Sequence, residues 1–250
     1  MALLEVTALT KRFGGVSASE GLDLEIRQGE IHAVIGPNGA GKTTLINQLT
    51  GELDCDSGRI AFDGQDITAE PVHARAQLGV ARSYQITQVF RDLTVLHNMV
   101  IAAQARLRHC FGSWARASDD GRLTGPARKT LERVGLIERV DAPVASLAHG
   151  ELRQLELAMT LVTEPKLLLL DEPTAGMSPA ETERIVGLLA SLKGAYAVLL
   201  VEHDMDAVFK LADRITVLVN GRAIASGSIA GIRANAAVRE AYLGDEEVLA

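Results

Sequence analysis

The residues best suited to chemistry form a glycine-rich loop near the N-terminus. Residues 36–43 fit the pattern G-x-x-x-x-G-K-[ST]. Glycines let the backbone N–H groups of such a loop turn inward around anionic oxygens. Lys42 would add a positive charge at the β- and γ-phosphates, and the Thr43 hydroxyl would ligate Mg²⁺. The pattern predicts a nucleoside-triphosphate site made by Gly36, Pro37, Asn38, Gly39, Ala40, Gly41, Lys42, Thr43 and Thr44.

Two predicted elements support this phosphate loop. The apolar residues 31–35 are typical of a buried strand entering it, and residues 44–50 favour a helix leaving it. That helix would aim its positive N-terminus at the phosphates. A glycine-rich turn without a ligand is the alternative, and the strand and helix on either side of the loop disfavour it.

Polar residues also follow two later apolar runs. Asp171 and Glu172 end a run of four leucines, which is typical of a strand buried on both faces of a parallel sheet. His203 follows a second predicted strand at residues 197–201. Ligands bind α/β sheets at the carboxyl ends of the strands, so we expect these side chains and Gln85 near the phosphate loop.

Each of these side chains suits a step of phosphate chemistry. Asp171 would hold Mg²⁺ through water, and Glu172 would polarise the attacking water. His203 would contact the γ-phosphate and hold that water. A pair of solvated charges is the alternative for Asp171 and Glu172, and the phosphate loop elsewhere in the chain favours the functional interpretation.

The overall composition argues against some functions. The 250 residues carry a net charge of −7 with a pI near 5.4, so no global basic field would attract nucleic acid or an anionic membrane. Cys55 and Cys110 match no metal or redox spacing and predict reduced thiols in a cytosolic protein. The first residues do not resemble a signal peptide, and the apolar runs are far too short to span a bilayer.

The remaining pattern predicts an α/β core with an antiparallel entry and an inserted helical part. The predicted elements are strands at 3–9 and 22–26, a turn-rich stretch at 10–15, a helix at 93–108, a loop at 110–125 and a helix at 126–134. Three apolar side chains have two interpretations. Phe13 would stack on a flat base or pack at the edge of the core. Val89 and Phe90 would contact a partner or pack under their own domain.

Taken together, these motifs resemble the ATP-binding subunits of ABC transporters over essentially the whole chain. Residues 36–43 resemble Walker A, and residues 167–172 resemble Walker B with its catalytic glutamate. Gln85 is similar to the Q-loop glutamine, which implies contact with ATP and Mg²⁺, and residues 175–178 occupy the D-loop. His203 is similar to the switch histidine, and Phe13 falls at the A-loop aromatic. The signature loop, which acts on a partner's ATP, corresponds to Leu147, Ala148, His149, Gly150 and Glu151.

The resemblance implies a fold and its divisions. The expected fold is a P-loop NTPase core with a mixed sheet, an N-terminal antiparallel β subdomain and an inserted α-helical subdomain. The core with its antiparallel part would span about 1–85 and 163–227, the helical subdomain about 86–162, and a tail about 228–250. All of these would form one ATP-binding domain.

The resemblance also implies partners. Two such subunits pair head to tail around two ATP molecules and drive two membrane permeases, with a periplasmic solute-binding protein acting indirectly. The segment from Gln85 to about Val100 would touch a permease from the cytoplasmic face of the membrane. Residues 84–90, 147–151, 201–205 and 238–244 look like the branch that imports branched-chain or other hydrophobic amino acids.

The signature loop departs from the usual Leu-Ser-Gly-Gly-Gln. Ala148 lacks the hydroxyl that bonds the γ-phosphate across the dimer, a loss of about 1.5–3 kcal/mol. Gly150 and the helix N-terminus are expected to keep offering backbone N–H groups. Ser178 replaces the D-loop aspartate. These changes suggest that, in a heterodimer, the partner's nucleotide is held or cleaved less well.

Several rival functions stay open. Within transport these are urea or amide uptake, lipid transport and lipopolysaccharide export. A soluble ABC-type ATPase acting on nucleic acid or ribosomes lacks support, because the chain has no long coiled-coil insertion, no second cassette and no basic field. A small-molecule kinase or GTPase would leave residues 147–151 and His203 unexplained.

Overall fold

A computed structural model describes residues 2–83, 89–105 and 120–242 of the chain. The strands are β1 (Ala2–Phe13), β2 (Val16–Arg27), β3 (Ile31–Ile35), β4 (Ser57–Phe62), β5 (Gln65–Asp66), β6 (Val80–Ser83), β7 (Leu167–Asp171), β8 (Ala197–Val201), β9 (Arg214–Val219) and β10 (Arg222–Gly227). The helices are α1 (Lys42–Thr50), α2 (Val72–Leu78), α3 (Val95–Gln104), α4 (Gly121–Val134), α5 (His149–Leu161), α6 (Pro179–Ala190), α7 (Met205–Leu211), α8 (Ile229–Ala234) and α9 (Ala236–Tyr242).

A six-stranded mixed sheet forms the centre of the protein, in the order β10-β9-β3-β8-β7-β6. Neighbouring strands within this sheet are parallel, except that β9 and β10 form an antiparallel hairpin. Every residue of β3, β7 and β8 is buried. In a parallel sheet covered on both faces, such continuous apolar strands are expected. The phosphate loop, Asp171 and His203 all follow the carboxyl ends of these strands.

Alternate residues of the central strands pack into different cores. Leu168 and Leu170 face a core shared with the helical part, made by α3, α4, α5 and α6. Leu167 and Leu169 face the opposite core, which is shared with α1 and with a second, antiparallel sheet of order β2-β1-β4-β5. The mixed sheet is therefore a middle layer with apolar packing on both sides, as the predicted fold class requires.

Three predicted element boundaries were wrong. The turn-rich stretch at residues 10–15 is mostly strand, because β1 continues to Phe13 and pairs with Val16 across a two-residue glycine turn. The helix expected at 93–108 begins only at Val95, where the Thr94 side chain accepts the His97 N–H as an N-cap, and its described part ends at Gln104.

The helix expected at Pro126 begins five residues earlier. Asp120 caps α4 by accepting the Arg122 N–H, so the residues 121–125 assigned to a loop are helical. Proline often marks the first turn of a helix, and here it lies inside one. The domain limits proposed from the sequence stay predictions.

The described ranges contain no helix that is long and apolar enough to cross a membrane.

Candidate active site

The phosphate loop joins β3 to α1, and its glycines determine its path. Gly39 and Gly41 have positive φ angles of 82° and 103°. A Cβ on Gly36 would lie 2.2 Å from the Leu218 carbonyl oxygen, and one on Gly41 would lie 2.1 Å from the Ala18 carbonyl oxygen. The loop is therefore held between β9 and β2 at positions that only glycine fits.

Lys42 begins α1 and is buried within the loop. Its Nζ donates hydrogen bonds to the carbonyl oxygens of Gly36 at 2.6 Å and Pro37 at 3.1 Å. Burial lowers the pKa of Lys42, and the charges of Glu172 and Asp171 oppose that change. The ammonium group is thus placed where an anion held by the loop would meet it.

The outer surface of the loop is open. Pro37, Asn38 and Gly39 are exposed, whereas Ala40 is buried. Thr43 is exposed in the first turn of α1, and the adjacent Thr44 is half-buried. All nine residues predicted to form the phosphate site lie in this one loop and helix start.

Asp171 ends β7 and is only 1% exposed. Burial raises the pKa of Asp171, and the nearby guanidinium of Arg82 acts in the opposite direction. Its Oδ2 accepts a hydrogen bond from Arg82 at 3.1 Å. Its Oδ1 is buried and has no hydrogen-bond partner among the described residues. A buried carboxylate oxygen without a partner is a natural acceptor for a metal-bound water.

Glu172 follows Asp171 with a backbone φ of 48°, a left-handed conformation that is rare for a residue with a side chain. Its N–H donates to the Val201 carbonyl oxygen at 2.8 Å, which ties the turn to β8. Its Oε1 lies 3.8 Å from Nδ1 of His203, whose side chain is 63% exposed. The structure thus brings the two predicted catalytic residues together, slightly beyond hydrogen-bond distance.

Glu202 connects the segments that carry Glu172 and His203, and this role was not predicted from the sequence. It is fully buried and accepts hydrogen bonds from the Thr174 N–H at 2.9 Å and the Thr174 hydroxyl at 2.6 Å. It also accepts the His203 N–H at 3.2 Å. One carboxylate therefore links the chain after Glu172 to the chain at His203. An acidic residue directly after a fully apolar strand is the signal that could have indicated it.

Arg153 is a second positioning residue missed in the sequence. It lies on α5 and donates to the carbonyl oxygens of Pro173 at 3.1 Å and Glu172 at 3.3 Å. It also bonds Glu156 on its own helix at 2.8 Å. Because α5 starts at the signature loop, Arg153 connects that loop's helix to the turn that carries Glu172.

The signature loop forms the start of α5, with Leu147 buried and Ala148 at the N-cap position. Ala148 N–H is accepted by Glu151 Oε2 at 2.9 Å. Gly150 N–H is accepted by Oε1 of Glu181, on α6, at 3.1 Å. In this single chain two carboxylates therefore accept these N–H groups, and the expectation that the loop offers them to a partner's nucleotide stays a prediction. His149 is exposed beside them.

Two other predicted residues have different outcomes. Phe13 is 52% exposed at the end of β1, with Lys11 Nζ 5.8 Å from its ring centroid, so its ring is not part of the core. Gln85 lies outside the described residues. Within the described ranges, no group of three or more His, Cys, Asp or Glu side chains could hold a metal by itself.

Comparison with known families and curated proteins gives a consistent result. Residues 19–175 match the family described as ABC transporter, and residues 224–248 match one described as branched-chain amino acid ATP-binding cassette transporter. The chain is 38% identical to BraF of Pseudomonas aeruginosa over 97% of this chain and 98% of that protein. It is 39% identical to LivG of Escherichia coli K12 over the same shares. Both are described as high-affinity branched-chain amino acid transport ATP-binding proteins.

Solved structures of similar fold point to the same family as the sequence comparisons. An ATP-binding cassette from an ABC transporter in its ADP conformation superimposes with a TM-score of 0.86 at 30% identity, covering 98% of this chain and all of that one. A nucleotide-free cassette gives a TM-score of 0.85 at 30% identity with the same coverage. The fold class predicted from the sequence is confirmed.

Proposed function

This chain belongs to the ABC transporter family as one of its ATP-hydrolysing subunits, and on that premise we propose that it powers the import of branched-chain amino acids. The solute class rests on the match of residues 224–248 and on the described functions of BraF and LivG. Neither of these two relatives is described as acting on amides, lipids or lipopolysaccharide.

The hydrolytic role is carried by one observation, the convergence of Lys42, Glu172 and His203 at the carboxyl edge of the mixed sheet. Lys42 lies inside the phosphate loop, and Glu172 Oε1 lies 3.8 Å from His203 Nδ1. Lys42 and the loop N–H groups hold the phosphates. Glu172 accepts the proton of the attacking water, and His203 orients that water at the γ-phosphate.

Mg²⁺ fits the residues on this edge. The exposed Thr43 hydroxyl would hold it directly, and Oδ1 of Asp171, which has no hydrogen-bond partner among the described residues, would hold it through water. When bound, the ion neutralises charge that develops on the β- and γ-phosphate oxygens. Gln85, by its resemblance to the Q-loop glutamine, would be a further ligand.

Variants of Lys42 and Glu172 test hydrolysis. Lys42→Ala should lose ATP binding, because the buried positive charge at the phosphates is removed. Glu172→Gln should bind ATP like the wild type and lose steady hydrolysis, because only the base is removed. Glu183→Gln, an exposed acid on α6, is the control for an acid-to-amide change. ATP affinity and phosphate release measure both effects; a fully active Glu172→Gln would assign the base to another residue.

A second ATP-binding subunit and two permeases complete the proposed assembly at the cytoplasmic face of the membrane. In the head-to-tail dimer, Gly150 N–H must exchange the Glu181 carboxylate for the partner's γ-phosphate. Ala148 supplies no hydroxyl to help this exchange, which supports the unequal nucleotide sites expected for a heterodimer.

The permease would dock beside β6 and the helical part. Two cavities of about 540 and 270 Å³ there share Ala81, Arg82 and Thr163. Phe90 is 54% exposed in the neighbouring segment, whereas Val89 packs into the core with the helices. Of the two apolar side chains considered from the sequence, only Phe90 is thus available to a partner.

Transport by the reconstituted complex tests the solute and the docking site. With its permeases in liposomes, ATP hydrolysis should rise when the binding protein carries leucine, isoleucine or valine, and not when it is offered urea. Phe90→Ser should reduce that stimulation and spare basal hydrolysis, whereas Val16→Ser, at an exposed hairpin on the antiparallel sheet, should do neither. Stimulation by urea alone would overturn the assignment of the solute.

A further inference from the structure

The side chain of Arg82 joins two elements that carry the candidate site, the phosphate-loop helix α1 and strand β7. It lies on β6 and is 9% exposed. One terminal nitrogen donates to Asn47 Oδ1 at 2.6 Å and to Glu52 Oε2 at 2.7 Å. The other terminal nitrogen donates to Asp171 Oδ2 at 3.1 Å. A single guanidinium therefore spans from the phosphate-loop helix to the end of β7.

This span matters because the two groups proposed to hold Mg²⁺ belong to different elements. Thr43 lies in the first turn of α1, and Asn47 lies one turn further along the same helix. Asp171 ends β7. By bonding Asn47 and Asp171 together, Arg82 sets the separation between the hydroxyl and the carboxylate on which the ion depends.

Arg82 also settles which oxygen of Asp171 faces a ligand. Its bond occupies Oδ2, while Oδ1 has no hydrogen-bond partner in the described part of the chain. A planar guanidinium holds a carboxylate in one orientation better than a lysine ammonium, because its donors are fixed in a fork. Carboxylates near metals are commonly fixed by such outer partners.

We propose that Arg82 is a positioning residue for Mg²⁺, which fixes Asp171 against the phosphate-loop helix without touching the ion or the nucleotide. This inference rests on the proposed Mg²⁺–ATP site and adds to it a residue outside the motifs that carried the family resemblance. The contrasting role is a purely structural ion pair, whose loss would lower stability and leave the metal dependence of nucleotide binding unchanged.

Nucleotide titrations with and without metal distinguish the two roles. For each variant, the ATP dissociation constant would be measured in Mg²⁺ and in EDTA. The Mg²⁺ advantage is the ratio of the dissociation constant in EDTA to that in Mg²⁺. Arg82→Met should lower this ratio by about tenfold, which is the lower end of the effect of removing an outer partner of a metal ligand. Its affinity in EDTA should match the wild type, because Lys42 and the loop are untouched. Arg82→Lys should recover part of the loss.

Arg59→Met is the matched control, because it removes another arginine–aspartate pair, the 2.8 Å contact of Arg59 with Asp66 on the antiparallel sheet. It should leave the Mg²⁺ advantage unchanged. Mn²⁺ binding followed by electron paramagnetic resonance, with ATP present, gives a readout independent of hydrolysis. It should weaken in Arg82→Met and stay unchanged in Arg59→Met.

An Mg²⁺ advantage in Arg82→Met equal to that of the wild type would overturn the proposal. If Arg82→Met does not fold, Glu52→Gln replaces it, because it weakens the grip on Arg82 while Asp171 keeps its partner. That variant should lose a smaller part of the Mg²⁺ advantage, and an unchanged advantage would equally overturn the proposal. A wild-type protein that binds ATP without any Mg²⁺ advantage would instead overturn the metal site itself.

Discussion

At the residue scale, Glu172, which we propose as the base, has a strained backbone. A φ of 48° costs a residue with a side chain about 1–2 kcal/mol. The conformation is held from two sides, since the Glu172 N–H bonds Val201 on β8 and its carbonyl oxygen accepts Arg153 from α5. Such strain is found where the surrounding structure fixes a side chain for function.

Glycine and alanine should therefore differ at this position. Glu172→Gly should be more stable than Glu172→Ala by about 1 kcal/mol, because both lose the carboxylate and only glycine relieves the positive φ. Urea unfolding measures the difference, and neither variant should sustain hydrolysis. Glu164, with φ of 51° in the loop after α5, is the control. Its glycine and alanine variants should show the same gap and keep hydrolysis; equal stability of the two Glu172 variants would mean that no strain is stored there.

The side chains proposed to do chemistry could be selected from the sequence, whereas those that position them could not. Lys42 and Glu172 follow from local spacing and from apolar runs. Arg82 and Arg153 act through partners far along the chain; Asp171 is 89 positions from Arg82. An arginine can cap a helix, form an ion pair on the surface or bind a buried carboxylate. Packing between elements decides which of these it does, and local sequence does not encode that packing.

At the element scale, the phosphate loop is fixed by contact with two strands. Gly36→Ala should destabilise the protein by about 3 kcal/mol, because the new Cβ would lie 2.2 Å from the Leu218 oxygen and backbone would have to move. Gly39→Ala should cost only about 1–2 kcal/mol, because its φ is positive while no atom of the described residues lies within 4 Å of the position its Cβ would take. Denaturant unfolding compares them. Equal losses would mean that the loop is free to shift away from β9.

A carboxylate joins the starts of α5 and α6. Glu181 accepts hydrogen bonds from the Ser178 N–H at 3.0 Å, the Ser178 hydroxyl at 2.7 Å and Gly150 N–H at 3.1 Å. These bonds lower the pKa of Glu181, and the bond from the Ser178 hydroxyl has the largest effect. One side chain therefore connects the signature loop to the D-loop within a single subunit.

Removing this carboxylate should loosen both helix starts. Glu181→Ala should lower the thermal midpoint more than Glu183→Ala, because the contact described for Glu183, on the same helix, is an exposed pair with Lys210. Hydrogen exchange at Gly150 should rise in the first variant alone. Equal midpoints and unchanged exchange would show that the two loops do not depend on Glu181.

The positions of helices and strands were predictable where their residues are buried throughout. The residues at which they begin and end were less predictable. The strands at 31–35 and 197–201 lie where they were expected, because both runs are buried throughout and are apolar except at His32. The start of α4 was missed because Pro126 resembled a first helical residue, while the true cap is Asp120. A single side-chain-to-backbone bond decides such a boundary.

At the scale of the whole molecule, a partly buried polar network joins the two sheets. Glu30 Oε1 lies 2.7 Å from Arg214 and 3.3 Å from Nδ1 of His32. Arg214 on β9 also bonds the Glu25 carbonyl oxygen on β2 in the antiparallel sheet. Nε2 of His32 lies 2.8 Å from the Thr216 hydroxyl. The order of strands was not predictable from sequence, because these contacts link residues more than 180 positions apart.

The network should make global stability sensitive to acid. Burial tends to raise the pKa of Glu30, but hydrogen bonds from His32 and Arg214 outweigh it and lower the pKa from 4.5 to about 2. Between those values the unfolded chain binds more protons than the native one, so the stabilisation from Glu30 is complete above pH 4.5 and is lost as pH falls through about 2. Glu30→Gln removes this dependence.

Thermal unfolding between about pH 6 and pH 2 tests the expectation, since that window spans the unfolded-state step at 4.5 and reaches the native-state step at about 2. The midpoint of Glu30→Gln should lie below that of the wild type near neutral pH, and the gap should narrow as the acid range is entered. Arg214→Met should move the acid loss to higher pH, because the carboxylate keeps His32 but loses its guanidinium partner. Midpoint curves of the wild type and Glu30→Gln that stay parallel would assign the acid sensitivity to other carboxylates. Curves that coincide would in addition leave this ion pair no measurable part in joining the two sheets.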